Sequence, residues 1–298
     1  MERQQKSVSS SVISGLLACL LLTSFAGCGG DSSEPSEVRS TAPNGSTLPP
    51  RPAARPDYGV DTTESVLADS LPYAEIGDEL VYGYFAIPVD MIDPYPAIVM
   101  LHDGFGLDDG ARALAERIAD EGFIVLAVDL FFGRTADEVS AARELQIEVL
   151  EDMQTAESNI AQALEFISSS TGAPSIGVLG FGFGGGLTLD TAIEHSGDVA
   201  AAVNFYGQVK TDRDSLRQLT VPVLGFFLEN DRAVLPQTVR DFEQVMEGLG
   251  QDATIHIYDT GRRGFMDRFS SNYDEALAER SWEEAFAFLN DAFGVAED

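Results

Sequence analysis

Cysteine is almost absent: Cys19 and Cys28 are the only two in 298 residues. Everything after Cys28 therefore lacks both disulfides and a thiol that could act as nucleophile or soft metal ligand. Histidine is nearly as scarce, with His102, His195 and His256 scattered along the chain. Without a cysteine cluster these match no familiar metal-ligand spacing, so neither a metal nor a cofactor is expected. Lysine occurs only as Lys6 and Lys210, and 49 acidic residues against 18 Lys and Arg give a formal net charge of −31. Such a chain repels phosphate backbones, which excludes nucleic acid as a partner. An acidic, lysine-poor surface stays hydrated while salt screens its self-repulsion, as suits a salt-rich habitat.

Long apolar runs are missing too. The run over 12–25 is too short for a comfortable membrane span, and Arg3 and Lys6 precede it, the layout of an export signal. It ends in Phe25-Ala26-Gly27-Cys28, which resembles the bacterial lipobox. That resemblance implies removal of residues 1–27 as a signal peptide and lipidation of Cys28, so that the membrane is reached through a lipid anchor only. Gly29 rather than Asp after the cysteine implies the outer membrane where the host has two, with the folded part in the periplasm or on the cell surface. Residues 28–60 are rich in Ser, Pro, Gly and Thr. They cannot bury enough apolar surface to offset their ordering entropy and read as a flexible tether. One folded domain is expected over 61–298.

Within that domain, apolar runs of strand length alternate with helical spacing. Strands are expected over 79–87 (paired with 73–76), 96–101, 123–128, 176–179, 199–205, 221–228 and 253–258. Helical periodicity covers 109–121, 138–168 (room for two helices), 187–195, 237–249 and 273–293. Continuous apolar strands alternating with helices predict an α/β fold with a mostly parallel sheet and helices on both faces. Ligands in such folds lie outside the carboxyl ends of the strands. Those ends carry His102-Asp103, Asp129, Gly182, Tyr206, Asp231 and the loop 261–265.

The centre of this pattern is Gly180-Phe181-Gly182-Phe183-Gly184-Gly185 between a strand and a helix. Small-x-nucleophile-x-small at such a turn is a nucleophile elbow. No Gly-Lys-Ser/Thr follows, which excludes a P-loop. With this elbow go Leu101-His102-Asp103-Gly104-Phe105-Gly106-Leu107, the stretch 119–130, Asn204-Phe205-Tyr206-Gly207, Phe227-Leu228-Glu229-Asn230-Asp231-Arg232-Ala233-Val234 and Tyr273-Asp274-Glu275-Ala276. In order and spacing, over about 62–293, the chain resembles the dienelactone hydrolase (carboxymethylenebutenolidase) family of α/β-hydrolases.

The resemblance implies a Cys–His–Asp triad, and two of its three positions are changed. Asp231 matches the triad acid, Gly182 stands at the nucleophile and Arg263 at the histidine, while Asp103 replaces the glutamate after the first core strand. Glycine offers no nucleophile, and arginine is always protonated and cannot shuttle a proton. The resemblance also implies an oxyanion hole of backbone N–H groups at Phe183, Asp103 and Gly104, which side-chain changes leave intact. The three histidines read as structural. The expected protein lacks the family's covalent hydrolysis and binds a small carboxylate, lactone or ester. Two fates are open for Arg263: pairing with Asp231 so that it fills the site, or meeting a ligand carboxylate. A second function class is an active esterase or lactonase using a hydroxyl from another loop or a water activated by Asp231 or Asp103.

Overall fold

The computed structural model describes residues 65–89 and 95–295. The expected signal peptide, Cys28, the tether and the first residues of the domain lie outside the described residues. Among the described residues no helix is long and apolar enough to cross a membrane.

Eight strands form one sheet in the order β1-β2-β4-β3-β5-β6-β7-β8. They are β1 (Val66–Ile76), β2 (Glu79–Pro88), β3 (Ala97–Leu101), β4 (Ile124–Val128), β5 (Ile176–Phe181), β6 (Ala201–Phe205), β7 (Val223–Leu228) and β8 (Ala253–Tyr258). β1 and β2 pair antiparallel, as do β2 and β4, and all pairings from β4 to β8 are parallel. The five strands β3 to β7 are buried at every residue, which is why they read as unbroken apolar runs rather than alternating ones.

Helices cover both faces. α1 (Asp109–Asp120) lies on one face, and α2 (Val139–Glu151), α3 (Met153–Thr171) and α4 (Gly182–Glu194) lie on the other. The short α5 (Arg213–Leu216) and α6 (Pro236–Leu249) join the second face, and α7 (Glu275–Phe293) joins the first. Strand residues divide between the layers with period two: Ala97, Val99 and Leu101 face one core, Ile98 and Met100 the other. The helical pattern over 138–168 resolves into two helices at Asp152, which ends α2 and caps α3 by accepting from the Thr155 N–H. The first strand is longer than its sequence pattern implied, and α4 begins at Gly182 itself rather than at Leu187. A helix may start on a glycine run because packing against the sheet, not propensity, decides it.

The chain passes from β3 outward to β4 and then back across β3 to β5, so the ends of β3 and β5 are neighbours, with Leu101 opposite Gly180. A crevice at this reversal is where a doubly wound sheet takes its ligand.

Candidate functional site

Gly180 and Gly184 set the geometry of the turn. A Cβ on Gly184 would stand 2.3 Å from the Leu101 carbonyl oxygen, and one on Gly180 2.5 Å from Gly184. Helix α4 thus rests directly on β5 and β3, and the Gly184 N–H donates to His102 O at 3.0 Å. These glycines are required by backbone approach whatever occupies position 182.

Gly182 has φ +52°, the left-handed region that side chains enter only with strain. A Cβ there would have as nearest neighbours Asp103 Cβ at 3.4 Å, Arg263 Nη2 at 3.5 Å and Tyr206 Cε2 at 3.8 Å. The space a nucleophile would enter is therefore bounded by a carboxylate, a guanidinium and a phenol ring. Beside it the Phe183 N–H, in the first turn of α4, meets no acceptor among the described residues, as helix N-termini leave their first amides unpaired.

Arg263 reaches this point from the loop after β8. Its Nη1 donates to Asp231 Oδ2 at 3.0 Å and to the Tyr206 carbonyl at 2.5 Å, and its guanidinium carbon lies 5.6 Å from the Tyr206 ring centroid. Tyr206 adopts φ +45°, unusual for a bulky residue, and its phenol is pushed above the usual range by burial, with Asp103 adding to the rise. Asp231 is nearly closed off from solvent, its side chain 4% exposed against 34% for Arg263. Its other oxygen, Oδ1, accepts from the Ala233 and Val234 N–H groups at 2.7 and 3.2 Å. Asn230 adds a second stitch between the two loops by donating to Gly261 O at 3.1 Å. Arg263 and Asp231 thus form an ion pair.

Asp103 follows β3 and accepts from the Phe105 N–H at 2.8 Å. Burial pushes its carboxyl up to about 6, Asp108 and Asp267 push in the same direction, and the Phe105 bond and Arg263 oppose them. Asp103, Asp108 and Asp267, with Phe181 and Tyr206, line a cavity of about 10 Å³, room for roughly one water molecule. Gly182, Phe183, Asp231 and Arg263 are not part of its lining. Gly104, the other backbone position expected in the oxyanion hole, is covered by Gln146 of α2, whose Nε2 leaves no room for a Cβ.

The histidines are engaged in structural contacts, and only His102 borders this cavity. His102 is fully buried. Its Nδ1 meets Asp103 O at 2.6 Å and its Nε2 accepts from the Leu130 N–H at 3.1 Å. That arrangement fits the neutral ring, and burial lowers its proton affinity accordingly. His256 stacks on Phe226 and meets Glu284 at 2.7 Å, and His195 ends α4. Among the described residues no group of three or more His, Cys, Asp or Glu side chains is placed to hold a metal ion. The sequence brought out Gly182, Arg263, Asp231 and Asp103, which the fold gathers in one crevice. It did not single out the Tyr206 carbonyl as a partner of Arg263, nor Asp108, Asp267 and Gln146 at its rim. No local pattern marks the contacts of Tyr206, Asp267 and Gln146, because they come from elements far apart in sequence.

The profile of the dienelactone hydrolase family matches residues 81–293. "Protein usf" of Aquifex pyrophilus is 25% identical over 218 residues, covering 71% of this chain and 93% of that protein. A Bradyrhizobium protein named "Probable 2-oxo-3-(5-oxofuran-2-ylidene)propanoate lactonase" is 24% identical over 241 residues, covering 76% of this chain and 95% of its own length. Among solved structures, the dienelactone hydrolase-like promiscuous phosphotriesterase P91 from metagenomic libraries superposes with a TM-score of 0.69 at 20% identity. The match covers 76% of this chain and 99% of P91, and it shows the shared fold.

Proposed function

The chain belongs to the dienelactone hydrolase family, a family of lactone and ester hydrolases, and from that premise we propose that it is a member without the family's covalent hydrolysis. The observation that carries this reading is the pair Gly182 and Arg263, with the guanidinium 3.5 Å from where a side chain at 182 would begin. Acyl transfer needs an attacking atom and a base that accepts and returns its proton; glycine lacks the first and arginine the second. Because effects within a catalytic unit are far from additive, losing both members removes the mechanism rather than slowing it twice. In our reading Asp231 is the remaining triad acid, now the counter-charge of Arg263. The Phe183 N–H at the start of α4 is what remains for holding a ligand oxygen. A small lactone, ester or carboxylate binds when the side chain of Arg263 swings aside.

One feature supports a second reading, hydrolysis by an activated water. Asp103 borders the space beside Gly182 and has its carboxyl raised to about 6, well placed to take a proton near neutral pH. A serine or threonine nucleophile is not favoured, since neither residue type is among the nearest neighbours of position 182, which are Asp103, Arg263 and Tyr206.

Turnover of a lactone and of short nitrophenyl esters by the purified chain decides between them. We expect no turnover above buffer, and turnover gained in the double variant Gly182→Cys, Arg263→His. Activity in the unaltered chain that disappears with Asp103→Asn overturns the first reading and establishes the second.

The same proposal includes an exported, lipid-anchored protein. Metabolic labelling with a fatty acid is expected to mark the chain in a bacterial host and to fail in Cys28→Ala; unchanged labelling would refute the anchor.

A further inference from the structure

Exposed apolar side chains and unpaired arginines fall together in this molecule. Among the described residues eight large apolar side chains are exposed, and six of them lie on three segments that meet at the crevice. Leu235 ends the loop that carries Asp231, Phe269 and Tyr273 belong to the loop that carries Arg263, and Val139, Ile147 and Leu150 lie on α2. The two loops are joined by the Arg263–Asp231 pair at 3.0 Å. The helix reaches the crevice through Gln146, which covers Gly104 beside Asp103. Positions 139, 143, 146, 147 and 150 recur at helical spacing, so the apolar side chains of α2 share the side of Gln146. Glu144, Glu148 and Glu151 form a separate row.

The arginines follow the same segments. Among the described residues five form no ion pair: Arg143, Arg213, Arg232, Arg262 and Arg268. All but Arg213 stand on the two loops or on α2. In a chain with 49 acidic residues against 18 Lys and Arg, cations without carboxylate partners are the exception, and here they are gathered at one place. Of the acids on these segments, Glu148 pairs with Arg134, Glu229 pairs with Arg240, and Asp267 is turned inward against Gly110 at the start of α1. Arg268 lies over the ring of Phe269, 5.1 Å from its centroid, and Phe269 is 63% exposed.

We propose that this surface, around the mouth of the crevice, docks on the headgroup layer of an anionic phospholipid membrane. Exposed apolar side chains set among cations are what such a layer takes: the apolar groups enter the acyl boundary and the guanidiniums meet phosphates. A single soluble domain seldom leaves such groups together without a partner. A second copy fits less well, because an isologous contact would bring the same unpaired arginines against one another. The acidic remainder of the chain does not oppose docking at close range, since at physiological salt a charge is felt over about 8 Å. This contact is additional to any lipid anchor, and it makes the crevice open onto the membrane.

Fluorescence quenching in the full chain tests this, with vesicles of phosphatidylcholine and phosphatidylglycerol whose acyl chains are brominated. The native Trp282 is buried, so the tryptophan of Phe269→Trp reports the loop. The control is Val295→Trp beyond the far end of α7, where Phe293 packs against the start of β5 at Gly177. Phe269→Trp is expected to shift to the blue and to be quenched, and Val295→Trp to be neither. Adding Arg262→Glu and Arg268→Glu to Phe269→Trp is expected to raise the lipid needed about tenfold, with circular dichroism unchanged. The comparison holds even where the N-terminal segment keeps the chain on vesicles, because it reads which face is inserted, and it does not depend on catalysis. Absence of quenching in Phe269→Trp overturns the proposal, as does equal quenching of Val295→Trp or indifference to the charge reversal. A blue shift that grows with protein concentration without lipid would put a second copy on this surface and overturn it too.

Discussion

At position 182 the backbone is left-handed, φ +52°, yet the space for a Cβ is open at ordinary contact distance. A side chain can therefore be restored there, at about 1–2 kcal/mol of strain. In Gly182→Cys alone the new sulfur would lie beside the Arg263 guanidinium, which favours the thiolate. We expect a single burst of nitrophenol with a matching acyl mass increase and no turnover, because Arg263 cannot deprotonate the water that must release the acyl group. Arg263 also has a structural effect. Arg263→Ala leaves the Asp231 carboxylate buried without its counter-charge. Its two backbone N–H bonds limit the loss to about 2 kcal/mol, below the usual range for a broken buried pair. Urea denaturation measures it, with Asp231→Asn, Arg263→Ala recovering part of the loss.

Asp103 makes a pH prediction whose sign follows from proton binding. Its folded carboxyl is raised to about 6 against about 4 when unfolded. Between those values the folded state holds the extra proton, so the Asp103 contribution falls as pH rises through that window. Asp103→Asn keeps an acceptor for the Phe105 N–H and removes the ionisation. It is expected to be more stable than the parent above pH 6 by about 2 kcal/mol, with the advantage vanishing near pH 4. His102 acts oppositely. Its lowered proton affinity removes stability as pH falls below about 6.5, so the difference between parent and variant isolates Asp103. Equal stability of the two at pH 8 would show that the burial argument is wrong.

Among the elements, α7 bears on the site indirectly, through the aromatic residues behind the turn. Trp282, the only tryptophan of the chain, stacks on Phe286 at 5.1 Å and meets Phe181 and Phe205 edge-on at 6.0 and 5.4 Å. Phe181 immediately precedes Gly182, so α7 supports the elbow from behind the sheet. Trp282→Ala is expected to lose about 4 kcal/mol, followed by circular dichroism because the fluorescent reporter goes with the mutation. A loss below about 1 kcal/mol, ordinary for a surface substitution, would show that the aromatic layer does not hold the helix. The helices were legible where an amphipathic stripe was long, as in α6 and α7. The start of α4 was not, because Gly182 to Gly186 has no helical propensity and is helical only through its packing on β3 and β5.

For the whole molecule, charge governs behaviour in solution. A domain with so few lysines offers few counter-charges to its carboxylates, so self-repulsion opposes the compact state until salt screens it. The melting temperature is expected to rise steadily with potassium chloride, and to rise most steeply at low salt where the screening length changes fastest. A melting point indifferent to salt would mean that the acidic residues are too far apart to repel.

The sequence by itself determined the layered α/β architecture, because strands buried on both faces must be apolar throughout and helices on a sheet must be amphipathic. It also determined that position 182 is glycine and position 263 arginine, since that is a matter of identity alone. The tertiary structure decided where Arg263 goes. Asp231, Tyr206 and Arg263 lie on three loops up to 57 positions apart, and which acceptor a guanidinium finds depends on how strand ends are brought together. It likewise decided that Asp103 is raised, since a carboxyl responds to burial and to Asp267, which comes from a distant loop, as well as to Asp108 of its own loop.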